Sequence, residues 1–201
     1  MIDNLIFDFG DVFINLDKKA TPKALMKLGL EKWNSKIDAL NINFEKGLIS
    51  KRDFLLGLNQ LVPNATQKEV LEAWNAVLLD FPEYRLEFLE IVSKKYRLFL
   101  LSNTDSIHIT HFKDRNGDEF YNRFCNCFEK VYFSFDLGMR KPDVEIYQFV
   151  IDENKLDPER TLFVDDNFDN IEGAKKAGLQ VWHLQKGKEE VIDLFEKSFW
   201  K

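Results

Sequence analysis

Short apolar runs and longer stretches of helical periodicity alternate through most of this chain. Leu5-Ile6-Phe7 is wholly apolar, ends on Asp8, and is followed at once by Gly10 and Asp11. The stretches 97–102, 131–133, 161–165 and 181–184 repeat the form. Apolar runs of this length, without polar alternation, fit strands buried on both faces. Between them the pattern changes to helical spacing over 82–95, over 106–128 with a break at Gly117, over 142–153, over 167–177 with Gly178 as a stop, and over 188–199. Strands separated by helices predict an α/β fold, a doubly wound and mostly parallel five-stranded Rossmann-like core sheet.

One segment departs from this alternation. From Lys18 to Ala76 there is no convincing strand, only helical spacing with turn signals between. Helices are expected to about Leu28, where Gly29 stops the first, then over 31–40, over 50–61 and over 66–77. Ser50 has the look of an N-cap, and Thr66-Gln67-Lys68-Glu69 matches a capping box. The chain thus divides into a core of 1–16 and 82–201 and an all-helical insertion over 17–81. The insertion leaves after the first strand and returns before the second, which hangs it over the carboxyl ends of the strands. Hinges are expected near 15–18 and 77–81.

Composition narrows the class. The 201 residues suffice to bury a substantial core, and a net charge of −6 without a long basic run argues against a nucleic-acid surface. No apolar run approaches the ~20 residues a membrane helix needs, and Asp3 leads directly into a strand rather than a signal peptide. Cys125 and Cys127 alone give no disulfide framework. The expectation is a cytoplasmic enzyme without a membrane or nucleic-acid partner, monomer or homodimer.

The chemistry collects at strand ends. The first strand gives Asp8, the second Ser102-Asn103-Thr104, and the fourth Asp165-Asp166-Asn167 entering a helix. Gly138-Met139-Arg140-Lys141-Pro142 precedes another helix. Ligands of open α/β sheets bind beyond the carboxyl ends of strands. A nucleophilic carboxylate, an anion-binding hydroxyl and amide, a cation, and an acid pair suited to a hard divalent ion together are what phosphoryl transfer requires. His108, His111, Cys125 and Cys127 match no standard zinc spacing and read as packing residues. Phe195, Phe199 and Trp200 read as core at a helical spacing.

These motifs, in this order, resemble the haloacid dehalogenase superfamily over essentially the whole chain. Asp8-Phe9-Gly10-Asp11-Val12 matches its first motif in part, Ser102 its second and Lys141 its third. Asp165-Asp166, continued by Asn167-x-x-Asn170-Ile171-x-Gly173-Ala174, matches the fourth. The insertion is similar to the family's helical cap. The run 133–142 resembles the branch of sugar-1-phosphate phosphatases and the amino-terminal phosphatase domain of epoxide hydrolases. The resemblance implies attack by Asp8 on phosphorus to form an aspartyl-phosphate. It implies Mg²⁺ held by Asp8, the Gly10 carbonyl and Asp166, with Asp165 as ligand or support. Ser102, the Asn103 backbone and Lys141 would hold the phosphoryl group.

The departure is Gly10, where the family carries the acid that moves protons; positioned acids and bases contribute about 10²–10⁴ in rate. Asp11, one residue on, is left open as a substitute. The leading expectation is a Mg²⁺-dependent phosphatase of a small phosphorylated metabolite, a sugar phosphate above others. The alternative is a catalytically weak phosphate-binding or regulatory protein; a dehalogenase, whose carboxylate chemistry needs no metal, comes third.

Overall fold

The strand pattern resolves into one five-stranded parallel sheet in the order β3-β2-β1-β4-β5. In this computed structural model, which describes residues 2–197, β1 (Asn4–Phe7) is followed by four helices: α1 (Ala20–Lys27), α2 (Ser35–Glu45), α3 (Lys51–Leu61) and α4 (Gln67–Asn75). Then come α5 (Glu83–Val92), β2 (Arg97–Ser102), α6 (Ser106–Asn116), α7 (Asp118–Asn126) and β3 (Lys130–Phe133). The short α8 (Ser134–Leu137), α9 (Val144–Asn154), β4 (Thr161–Asp165), α10 (Phe168–Lys176) and β5 (Gln180–His183) complete the core. The chain builds outward from β1 to β3, then crosses to the other side of β1 for β4. That reversal opens a crevice between the ends of β1 and β4.

Successive strand residues point to opposite faces, and both faces are covered. Leu5, Phe7, Leu98, Leu100, Leu162 and Val164 pack with Leu86, Leu89 and Val92 of α5, Phe112 of α6 and Phe124 of α7. Ile6, Phe99, Leu101 and Phe163 pack on the other side with Ile146, Tyr147 and Val150 of α9 and with Ile171 and Ala174 of α10. Every residue of β1 and β4 is therefore buried, which is why these strands read as unbroken apolar runs rather than alternating ones. The doubly wound α/β reading holds.

Helices α1–α4 enclose a third apolar cluster, to which α6 adds only Ile107. Phe44 stacks on Phe54 with ring centroids 4.3 Å apart, and Phe54 meets Trp74 edge-on at 4.7 Å. The two chain passages between this cluster and the sheet run antiparallel and hydrogen-bond to each other. Asn15 N–H donates to the Asp80 carbonyl, Leu79 N–H to that of Asn15, and Asp17 N–H to that of Val77. Arg115 of α6 ties the ribbon down by donating to the carbonyls of Leu78 and Leu79.

Two elements differ from the sequence pattern. The helix expected over 31–40 runs Ser35–Glu45, because Asn34 accepts hydrogen bonds from Lys36 N–H and Ile37 N–H and fixes the start there. The helix expected over 188–199 is a 3₁₀ segment at Val191–Glu196. Its Val191 and Leu194 are buried three residues apart, the spacing of a three-residue turn. Phe195 lies at its edge against Phe88 and Tyr96; Phe199 and Trp200 lie outside the described residues.

Candidate active site

Phe7 is level with Leu100 of β2 and Val164 of β4. Asp8 extends β1 by one step, its N–H donating to the Val164 carbonyl at 2.9 Å. Its carboxylate and that of Asp165 thus leave neighbouring strands at the same height. Lys141 reaches between them, its Nζ donating to Asp8 Oδ1 and to Asp165 Oδ2, both at 2.7 Å. The lysine is 1% exposed. Burial would lower its pKa, but Asp165 and Asp8 outweigh that and hold the ammonium above the ordinary lysine range.

Lys141 is presented by a backbone clamp. Asn103, just past β2, donates from Nδ2 to the Lys141 carbonyl at 2.8 Å and accepts from Lys141 N–H at Oδ1 at 2.9 Å. Asp165 is held on every side. Oδ1 accepts from Asn167 N–H, Nδ2 of Asn170 approaches both oxygens at 3.1 and 3.0 Å, and Lys141 takes Oδ2. A carboxylate offers about four acceptor positions, so Asp165 has little left to give another partner. Asp166 lies further out, with Oδ2 2.8 Å from Lys18 Nζ, while its backbone carbonyl accepts from His183 Nε2 at 3.0 Å.

Asp8, Asp165 and Asp166 each offer an oxygen within 4.8 Å of the others. Burial pushes the Asp8 carboxyl up to about 7, with Asp165 and Asp166 adding to the rise against the opposing pull of Lys141. Such crowding of buried acids is what a divalent cation with oxygen ligands relieves, so the residues fit a hard metal ion. His108, His111, Cys125 and Cys127 form no such group among the described residues. His108 has Nδ1 3.1 Å from Asp105 Oδ2 and Nε2 3.2 Å from the Trp74 carbonyl, while Cys127 Sγ donates to the Arg123 carbonyl.

The structure separates the two residues left in question after Asp8. Asp11 is buried at φ 55°; its Oδ1 accepts from Leu16 N–H at 3.0 Å and forms an ion pair with Lys186, whose Nζ lies 2.6 Å away. Its Oδ2 lies 3.3 Å from Lys18 Nζ. Asp11 therefore holds the loop together and faces a recess it shares with Asn15, Asp80 and Arg85, not the Asp8 cavity. Gly10 carries no positive φ. A Cβ there would stand 2.7 Å from Leu16 Cδ1, so the Leu16 side chain occupies the ground where an acid at position 10 would begin.

Two cavities meet over this floor. The smaller, about 340 Å³, is lined by Asp8, Lys141, Arg140 and Asp166; the larger, about 500 Å³, is walled by Phe9, Ile14, Trp33, Trp74, Val77 and Leu78 and also touches Ser102 and His108. Gly10, Leu16, Lys18, Glu45 and Asn103 line both and form the neck between them. Asp8, Gly10, Ser102, Asn103, Lys141, Asp165 and Asp166 are thus all brought to the carboxyl end of the sheet. Lys18, Glu45 and the amide of Asn170 also belong there. Asn170 recurs in the motif after the acid pair, whereas Lys18 and Glu45 stand in the helical segment with no local signal.

Residues 2–178 match the family model described as haloacid dehalogenase-like hydrolase. A D-ribitol-5-phosphate phosphatase of Bacteroides thetaiotaomicron is 30% identical over 198 residues, covering 93% of this chain and 94% of that protein. The fold superposes on the crystal structure of a family enzyme from the same organism, in complex with magnesium and inorganic phosphate. The TM-score is 0.84 at 32% identity, over 94% of this chain and 97% of that one. A HAD-like hydrolase from Porphyromonas gingivalis gives a TM-score of 0.82 at 25% identity, over 98% and 97% of the two chains.

Proposed function

The chain belongs to the haloacid dehalogenase-like hydrolases, and on that footing we propose that it is a Mg²⁺-dependent phosphatase of a small phosphorylated metabolite, a sugar or polyol phosphate. The observation that carries this reading is the buried Asp8–Lys141–Asp165 unit at the crevice, with Asp166 completing an acid cluster beside it.

In this reading Asp8 is the nucleophile. Lys141 occupies Oδ1, which leaves Oδ2 to attack phosphorus and form an aspartyl-phosphate as the alcohol departs; water then releases phosphate. Asp8, the Gly10 carbonyl and Asp166 hold the Mg²⁺, which when bound neutralises charge on the phosphoryl oxygens. Asp165, whose acceptor positions are filled, serves to hold Lys141 in place. Ser102, the Asn103 backbone and Lys141 hold the transferring group. The acid cluster speaks against a dehalogenase, whose chemistry has no use for a metal. We further take 17–81 as a cap over a core of 1–16 and 82–201, supported by its separate apolar cluster. A cytoplasmic setting is supported by the free thiols of Cys125 and Cys127; no helix among the described residues is long and apolar enough to cross a membrane.

The test is hydrolysis of a panel of phosphorylated sugars and polyols with Mg²⁺ and with chelator. Activity that requires the metal and falls at least ~10³-fold in Asp8→Asn is expected. Hydrolysis unaffected by chelator, or by the loss of the Asp8 carboxylate, would refute it.

A further inference from the structure

Glu45, the last residue of α2, and the two residues after it meet α8 and the loop after it that carries Lys141. Glu45 Oε2 accepts from Arg140 Nε at 3.1 Å and lies 2.9 Å from its second terminal nitrogen. Lys46 pairs with Asp143 at 3.2 Å. Gly47, at φ 64°, lies so near the Phe135 carbonyl oxygen that no Cβ fits between. The Lys46 and Gly47 contacts already dock α2 against that loop. A partly exposed ion pair adds only about 0–1 kcal/mol to such docking, so it does not account for where the Glu45 carboxylate is placed. That carboxylate, with its side chain 14% exposed, lines the neck between the phosphoryl cavity and the larger cavity beyond.

Its hydrogen-bond tally is incomplete in an informative way. Oε2 is taken by the Arg140 fork, and Oε1 accepts one hydrogen bond from Asn41 Nδ2 at 3.1 Å. A carboxylate has about four acceptor positions, so one remains on Oε1. Asn41 also lines the larger cavity and has an amide oxygen of its own. A phosphate ester lying across the neck places the carbons next to its ester oxygen beside this pair.

We infer that Glu45, held by Arg140 and Asn41, is the specificity-determining residue that accepts a hydrogen bond from a hydroxyl close to the ester oxygen of the substrate. This deepens the phosphatase reading and rests on it. The pair selects esters hydroxylated next to the phosphate, because a neutral alkyl chain leaves the remaining acceptor position of Oε1 desolvated and unfilled. It rejects esters with a second anion at that place, because the fixed negative charge repels them. The class selected is polyol and sugar monophosphates, over alkyl phosphates and phosphorylated hydroxy acids.

The test reads binding rather than turnover. Mg²⁺-loaded Asp8→Asn protein is titrated calorimetrically with inorganic phosphate, glycerol 3-phosphate, propyl phosphate and 3-phosphoglycerate. Glycerol 3-phosphate is expected to bind about 10-fold or more tighter than propyl phosphate, its near-isostere without hydroxyls. With Glu45→Gln added, that ratio falls to within about 2-fold, and 3-phosphoglycerate gains about 10-fold relative to glycerol 3-phosphate. Asn41→Ala, which removes the group holding Oε1, lowers the first ratio by a smaller factor of about 3. A purely structural Glu45 would weaken inorganic phosphate and all three esters together and leave the ratios unmoved, which overturns the inference. Equal binding of glycerol and propyl phosphates to the parent overturns it alone. Failure of the wild-type protein with Mg²⁺ to bind even inorganic phosphate overturns the phosphatase reading with it.

Discussion

At the scale of single residues, Gly10 and Leu16 make one design. Leu16 Cδ1 fills the ground that a side chain at position 10 would enter, and Asp11 is committed to the loop. Nothing in this arrangement protonates the departing oxygen, so the rate is expected to depend steeply on how well the leaving group carries charge. A plot of log kcat/KM against leaving-group pKa should slope strongly for the wild type. Gly10→Asp alone has to displace the end of a flexible side chain; Gly10→Asp with Leu16→Ala gives the acid room and should flatten the slope. A flat wild-type plot would mean that another group supplies the proton. Asn103 makes a second residue-level case. Its side chain, not only its backbone, holds Lys141 from both sides. Asn103→Ala leaves two backbone groups without partners, at a cost of about 1–3 kcal/mol in stability, and should lower kcat more than it raises KM. Denaturant titration and steady-state kinetics on the same sample check both.

At the scale of elements, the strands and the motifs at their ends were legible because their signals are local. An apolar run ending on an acid records a strand end whatever its neighbours are, and burial on both faces removed the ambiguity of alternation. The fourth motif even contained Asn170, whose amide secures Asp165. Contacts between distant segments were not legible. Nothing around Glu45 announces Arg140, and nothing around Arg115 announces the carbonyls of Leu78 and Leu79. The end of the chain misled for a different reason: apolar spacing of three fits a 3₁₀ turn as well as an α-helix, and only packing decides. The paired passages 15–17 and 77–80 are where a hinge was expected. They are cross-linked by backbone hydrogen bonds, so the helical segment joins the core through a paired ribbon rather than through slack chain. Arg115→Ala should loosen that ribbon, lowering Tm by about 2–4 °C for about 1 kcal/mol lost in a chain of this size. It should also speed amide exchange at Asp17 and Leu79 before the core strands; exchange unchanged there would show that the ribbon holds without it.

At the scale of the whole molecule, stability and metal are linked through the acid cluster. A ligand bound only by the folded state stabilises it by about 2.7 kcal/mol at 100 times its Kd. Mg²⁺ should therefore raise Tm by roughly 5–11 °C, and Asp166→Asn should abolish most of that shift while leaving the metal-free Tm within a few degrees. A shift retained in full would place the ion elsewhere. The two cavities joined at one neck carry a further consequence. In the proposed mechanism, once the alcohol has left the larger chamber, that space lies open beside a phosphorylated Asp8 to water or to a second alcohol of similar size. On the proposed mechanism the protein is then expected to pass its phosphoryl group to such an alcohol as well as to water. At high concentrations of a small polyol, part of the turnover should appear as a new phosphate ester instead of inorganic phosphate, a partition that ³¹P NMR reads directly and that the concentration of acceptor alone should tune.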